Sequence, residues 1–271
     1  MEQVSETAPL DAQVLLAHVL CRPRSWVVAH PEAILNPVQQ ELLETSLERL
    51  EGGEPLPYVL GCREFYGMEF TVSPAVLIPR PETELLVEQA LGWLGKHPGP
   101  RLALDVGTGS GCIAVVLASM VSDLEVLACD VSLDALRVAR RNVHRYDLDD
   151  RVHCVQADLF PGIDGSIYPR GFDLICANLP YVPSDTLAGL PVSRHEPCLA
   201  LDGGVDGLAV IRRLLSFAPG RLAQPGLFLL EIEASQGAAV ESLAKRAFPQ
   251  ARIELLNDLA GRARLVTVHN N

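Results

Sequence analysis

Positive charge is scarce in this chain: 22 Lys and Arg stand against 34 Asp and Glu in 271 residues, a formal net charge of −12. So acidic a protein lacks the electrostatic footprint that holds nucleic acid by its phosphates, and no direct nucleic-acid contact is expected. No apolar run is long enough to span a bilayer, and the first residues carry acids before any base, so neither a membrane span nor a secretory leader is expected. Paired metal-binding cysteines are missing too. Cys21, Cys62, Cys112, Cys129, Cys154, Cys176 and Cys198 are scattered, odd in number and free of Cys-x-x-Cys spacing. They read as small reduced core residues of a cytoplasmic protein, with no metal site. There is no internal repeat and no low-complexity tract.

The chain does have apolar mass, 48% of its residues, enough for a sizeable core. Its length suits one domain of ordinary size plus a smaller one. Residues 8 to 20 carry apolar side chains at helical spacing, and further helical stretches follow near 24 to 30, 38 to 51 and 55 to 60. Residues 63 to 76 read as a short β-hairpin with Gly67 near its turn. These segments predict a small helical domain with a hairpin linker over 1–75, and a larger domain over 76–271. The first 75 residues hold 11 acids against four Arg, a solvated acidic face or a docking surface for a basic protein.

The larger domain opens on Leu77-Ile78-Pro79-Arg80-Pro81-Glu82-Thr83-Glu84, stiffened by two prolines ahead of a helix. Then Leu102 to Val106 reads as a buried strand, Gly107-Thr108-Gly109-Ser110-Gly111 as a tight glycine turn, and Cys112 to about Ser119 as a helix. Strand, glycine loop and helix in that order form the first unit of a nucleotide-binding α/β fold. A second strand ends on Asp130, where a carboxylate can accept both hydroxyls of a ribose. A third runs into Asp158-Leu159-Phe160: Asp158 can take an adenine amino group under apolar cover from Leu159 and Phe160, or the segment is a simple strand-end turn.

The apolar run Phe172 to Ala177 reads as an interior strand that Pro180 ends abruptly, so Asn178-Leu179-Pro180-Tyr181 falls at the carboxyl edge of the sheet. Ligands bind at that edge in open α/β folds. The Asn178 side-chain oxygen and the Leu179 main-chain carbonyl are two acceptors suited to a planar NH2 group, and Tyr181 offers a flat face with a polar tip. The alternative is a proline-stiffened strand end with an ordinary turn residue. Two final strands, near 251 to 256 and 263 to 268, fit a mostly parallel sheet with one antiparallel strand.

The glycine loop and Asp130 suggest a nucleoside ligand, which dinucleotide oxidoreductases share. Three features favour S-adenosylmethionine. The loop is Gly-x-Gly-x-Gly and not Gly-x-Gly-x-x-Gly. Asp105, just before it, is a poor neighbour for a diphosphate but tolerable beside an ammonium. The amide clamp falls on the fourth strand, across from the cofactor site.

Asp105 to Gly111, Asp130, Asp158 and the Asn178 tetrapeptide resemble the successive motifs of Rossmann-like class I S-adenosylmethionine-dependent methyltransferases that methylate amino groups. Arg63-Glu-Phe-Tyr-Gly67, Ile78 to Glu84, and Glu196-Pro197 with Ala200 to Gly207 resemble the HemK or PrmC family, which methylates glutamine in peptide chain release factors. The resemblance covers nearly the whole chain. It implies N5-methylation of the glutamine in a Gly-Gly-Gln motif of a release factor; a monomer whose helical domain recognises the substrate is expected. It places Gly107, Thr108, Gly109, Ser110, Gly111, Asp130, Asp158, Leu159 and Asn178 at the cofactor. Asn178, Leu179, Pro180 and Tyr181 fall at the substrate, with Asn178 and Tyr181 catalytic and Tyr181 packed on the target side chain. A ribosomal-protein glutamine methyltransferase and a nucleic-acid adenine N6-methyltransferase are the alternatives. One departure stands out: the family's tetrapeptide is usually Asn-Pro-Pro-Tyr, and Leu179 replaces its first proline.

Overall fold

The computed structural model describes residues 8–160, 162 and 170–271 and divides into two compact units, Met1–Cys62 and Arg63–Asn271. The first unit is helical: α1 Ala8–Leu20, α2 Arg24–Ala29, α3 Pro37–Glu51 and α4 Leu56–Leu60. Leu15 and Val19, one turn apart on α1, are buried. Helix α3 starts on a capping box, in which Asn36 Oδ1 accepts from Gln39 N at 2.9 Å and Gln39 Oε1 accepts from Asn36 N at 3.0 Å. Arg49 then ties α3 to α4, donating to Glu54 and to the carbonyls of Tyr58 and Val59.

The boundary falls between Cys62 and Arg63, earlier than the expected break after residue 75. The hairpin explains the difference. Its strands, β1 Cys62–Phe65 and β2 Met68–Thr71, are joined at Tyr66-Gly67, both with positive φ (53° and 71°), the pattern of a tight two-residue turn. Thr71 N donates to Asn142 Oδ1 at 2.8 Å, and Asn142 Nδ2 returns a bond to Thr71 O at 2.9 Å. Those bonds fasten β2 to the larger unit, so the hairpin belongs to it and does not act as a free linker.

The rest of that unit is α5 Glu84–Leu94, β3 Arg101–Val106, α6 Cys112–Met120, β4 Leu124–Asp130, α7 Leu133–Arg145, β5 Val152–Gln156, β6 Phe172–Ala177, α8 Ser184–Leu187, α9 Ala209–Phe217, β7 Leu222–Glu231, α10 Gly237–Ala247, β8 Arg252–Asn257 and β9 Ala263–Asn270. The sheet has seven strands in the order β5-β4-β3-β6-β7-β9-β8, with β9 antiparallel to its neighbours on both sides and the other pairs parallel. This is the expected mostly parallel sheet with one antiparallel strand.

Alternation along the strands sorts the core into two layers. Ala103, Leu174, Cys176, Leu227 and Leu229 face α5, α6 and the hairpin phenylalanines. Leu104, Val106, Ile175, Ala177, Phe228 and Leu230 face α9 and α10. Both faces being covered, the central strands read as continuous apolar runs. Between β3 and β6 the order of strands reverses, and a crevice opens at the carboxyl ends of such a pair. Of the seven cysteines expected in the core, Cys112, Cys129 and Cys176 are buried, Cys62 and Cys154 are half-buried, and Cys21 and Cys198 are exposed. Among the described residues no helix is long and apolar enough to cross a membrane, and no cluster of metal-ligating side chains occurs.

Candidate active site

A cavity of about 550 Å³ lies at the carboxyl ends of β3, β4 and β6, within the volume range of small-molecule sites. Its walls include Gly107 to Ser110, Asp130 to Ser132, Ala157 to Leu159 and Asn178 to Pro180, with Pro79, Arg80 and Thr83 on another side. Most residues singled out from the sequence therefore meet in one place, although their motifs are spread over a hundred positions of chain.

The glycine loop is held tightly. Gly107 has φ of 71°, and a Cβ there would stand 2.9 Å from Leu179 Cδ2, so the loop and the tetrapeptide press together at this point. Leu179 is 5% exposed and packs in the same apolar layer as Val106 and Phe228. Its side chain thus takes a buried seat. Gly111 does not line the cavity: with φ of 80° it starts α6, where a Cβ would come within 3.2 Å of Ala139 Cβ. Its place in the motif serves close helix packing.

Asp130 ends β4 half-buried, its Oδ2 accepting from Gly109 N and its Oδ1 from Ser132 N, both at 2.9 Å. Burial raises its pKa, against which the amides of Ser132 and Gly109 work. Each oxygen keeps lone-pair capacity beyond its one amide. Asp105, 1% exposed, accepts from Thr108 Oγ1 at 2.6 Å through Oδ2, while its Oδ1 is buried without a hydrogen-bond partner. Burial pushes its carboxyl up to about 7, the Thr108 hydroxyl pulling in the other direction. Asp105 does not line the cavity, so the ammonium contact expected of it is not brought together with the other site residues; Asp130 and the cradle at Gly107 fit a nucleoside.

Asp158 lines the cavity with its Oδ2 2.7 Å from Arg213 Nη2, a partner its sequence context did not reveal. Leu159 lines it too, in the left-handed region at φ 68°, and its carbonyl accepts from Cys129 Sγ. Phe160 does not join them; the Arg221 guanidinium sits over its ring, 4.8 Å from the centroid. That contact draws the ring away from the role of cover.

At the tetrapeptide, Asn178 is half-buried and its Nδ2 donates to Thr83 Oγ1 at 3.0 Å. Pro180 lines the cavity, but Tyr181 is not among its walls. The Tyr181 carbonyl accepts from Gln236 Nε2 at 2.9 Å, and burial, followed by the nearby Glu231, pushes its phenol up to about 12. Its ring contributes to the apolar layer against α9 and α10.

Sequence reasoning names Arg80, Glu84, Glu196 and Asp206 as candidates for shaping the substrate pocket without assigning their roles, and gives no role to Thr83 or Glu231. Glu196, 5% exposed, holds Arg80 at 2.5 Å and accepts from Ile78 N at 3.1 Å, pinning the proline-rich wall. Thr83 and Glu231 are 3% and 2% exposed; Thr83 reaches the cavity wall and Glu231 sits beside Asn178 across β6 and β7. The available signal was one acid, Glu231, ending the apolar strand β7. Glu84 accepts from Tyr66 N and Asp206 pairs with Arg212, and neither lines the cavity.

Comparison with known proteins gives a consistent result. Residues 1–61 match the PrmC N-terminal domain, and residues 83–188 match the methyltransferase small domain. The chain is 40% identical over 260 residues to a release factor glutamine methyltransferase of Moorella thermoacetica, covering 96% of this chain and 90% of that one. It is 37% identical over 270 residues to one from Rhodopirellula baltica (97% and 90% covered) and 38% identical over 239 residues to one from Escherichia coli (88% and 84%). In fold it is similar to the N-terminal domain of human METTL16 in complex with SAH, at a TM-score of 0.56 and 16% identity (80% and 82% covered). A methyltransferase from Pyrococcus furiosus gives a TM-score of 0.54 at 16% identity, with 84% and 98% covered.

Proposed function

Because this chain belongs to the release factor glutamine methyltransferase family, we propose that it methylates the side-chain amide nitrogen of the glutamine in the Gly-Gly-Gln motif of a peptide chain release factor. The observation that carries the reading is one cavity bounded on one side by Asp130 and the glycine loop and on another by Asn178 and Leu179. It supplies a nucleoside seat and an amide seat together.

S-adenosylmethionine, when bound, supplies an electrophilic methyl group. The chain's part is to hold and align. Asp130 accepts from the ribose hydroxyls with the lone pairs its two amides leave over. Gly107 to Ser110 let the main chain approach the ligand, and Asp105, buried beneath the loop, fixes Thr108. Asp158 Oδ1 takes the adenine amino group while Oδ2 stays with Arg213, and Leu159 covers the ring. Asn178 Oδ1 and the Leu179 carbonyl accept from the two N–H bonds of the target amide, which points the nitrogen at the methyl group. Pro180 shapes that wall, and Tyr181 acts by fixing the loop from behind and not by packing on the target side chain.

An amide nitrogen is a poor nucleophile, because its lone pair is delocalised. Two acceptors favour positive charge on it as the new bond forms, and the proton it loses passes to water. Alignment of this kind contributes about 7 to 11 kcal/mol in well-oriented systems. The helical unit contributes recognition of the release factor, and the enzyme works as a cytoplasmic monomer. The net charge of −12 supports a protein substrate over direct nucleic-acid binding. Incubation with labelled S-adenosylmethionine and a release factor tests the reading. Label should enter the intact factor and not one whose Gly-Gly-Gln glutamine is replaced; equal labelling of both rejects it.

A further inference from the structure

Two polar residues flank Asn178 with almost no contact with solvent, Thr83 at the cavity wall and Glu231 deeper in the sheet. Thr83 precedes α5, Glu231 ends β7, and Asn178 follows β6, so three separate elements bring them together. Asn178 Nδ2 donates to Thr83 Oγ1 at 3.0 Å, and Glu231, one position beyond the Ala177–Leu230 pair of β6 and β7, brings its carboxyl close to both side chains, with Oε2 buried and without a hydrogen-bond partner. A carboxylate only accepts, so the end of the Asn178 amide turned to this corner has to be the NH2. The carbonyl end is then left for the cavity that Asn178 lines. An asparagine amide is nearly symmetric in shape, and without such partners it has two orientations of similar fit. The wrong one would present donors to the donors of a substrate amide.

We propose that Thr83 and Glu231 form a positioning relay that fixes which end of the Asn178 amide faces the substrate and sets how strongly its Oδ1 accepts. The inference rests on the function proposed above. Ionised, Glu231 accepts from the Thr83 hydroxyl and from the Asn178 NH2. That polarises the amide and places more negative charge on Oδ1, where the substrate nitrogen becomes positive. Protonated, Glu231 becomes a donor and competes with Asn178 for Thr83 Oγ1.

The surroundings put this exchange near neutral pH. Burial pushes the Glu231 carboxyl up to about 7, opposed by Thr83, by the Arg264 guanidinium on β9 and by Asn178, with Glu82 adding to the rise. The Tyr181 phenol faces the same carboxyl and stays neutral, its own pKa being near 12. Turnover should therefore increase as pH rises through about 7.

Three variants and two readouts test the relay. Thr83→Val should lower kcat about tenfold, the worth of one net hydrogen bond, while KM for the release factor and calorimetric affinity for S-adenosylmethionine stay within about twofold. Thr83→Ser should restore kcat. In Glu231→Gln the rise through pH 7 should vanish. The second readout needs no turnover: the carbon-13 titration of the Glu231 carboxyl should move to higher pH in Thr83→Val, and again in Asn178→Ala, which guards against a poorly folded Thr83 variant. Should the wild type leave glutamine unmethylated while the carboxyl midpoint moves, the proposed function fails and the relay stands. Unchanged kcat and an unmoved midpoint in Thr83→Val, or a wild-type pH profile in Glu231→Gln, would overturn it.

Discussion

Asp130 and Glu231 both close parallel strands of one sheet, and the protein holds them by opposite means. Asp130 takes two main-chain amides, Gly109 and Ser132, and stays open to the cavity. Glu231 is 2% exposed, its Oε2 has no hydrogen-bond partner, and the polar groups that offset its burial are side chains, Thr83 and Asn178. Main-chain donors come with the fold itself, so the cofactor side survives most substitutions around it. Side-chain donors can be removed one at a time, so the substrate side is where a single change can alter chemistry while leaving the cofactor seat intact.

Substitution at the two sites should separate binding from turnover. Asn178→Ala is expected to lower turnover by about 10²–10³, the scale for losing one preorganised polar group, with cofactor affinity changing far less. Single-turnover kinetics beside calorimetry checks this, and near-normal turnover would remove the clamp. For Asp130→Ala the order reverses: affinity for S-adenosylmethionine should fall about 10- to 100-fold, from the loss of charge-assisted hydrogen bonds.

The contrast also appears in stability against pH. Glu231 and Asp105 are both raised to about 7 from ordinary values near 4.5 and 3.8. A raised carboxyl binds its proton more tightly folded than unfolded, so its contribution is full below the unfolded pKa and is lost as pH climbs through 7. The ligand-free protein should melt at lower temperature as pH goes from 4.5 to 7.5, and Glu231→Gln should flatten part of that slope; an unchanged slope would contradict the burial account. The smallest effect is expected from Gly107→Ala, about 1–2 kcal/mol of stability in a denaturant titration, from a positive φ and a Cβ 2.9 Å from Leu179.

What was legible in the sequence follows the same division. The strand, glycine loop and helix around Gly107, the acid at Asp130 and the Asn178 tetrapeptide are local patterns, and their named residues line the cavity apart from Asp105, Gly111 and Tyr181. Helix spans in the first unit were legible for the same reason, since apolar spacing and caps act within a few residues. Contacts between distant segments were not. Thr83 meets Asn178 across 95 positions and Arg213 meets Asp158 across 55, and no local spacing encodes either. Tyr181 and Phe160 show the converse: an aromatic beside a motif is drawn away by apolar packing or by an Arg221 that the motif does not contain.

The most direct measurement is a crystal structure with S-adenosylhomocysteine and a release-factor domain carrying the Gly-Gly-Gln loop. The account predicts the glutamine NH2 within about 3 Å of both Asn178 Oδ1 and the Leu179 carbonyl, with Asn178 Nδ2 still on Thr83. A glutamine amide seated elsewhere, or an Asn178 turned with its NH2 toward the ligand, would contradict it.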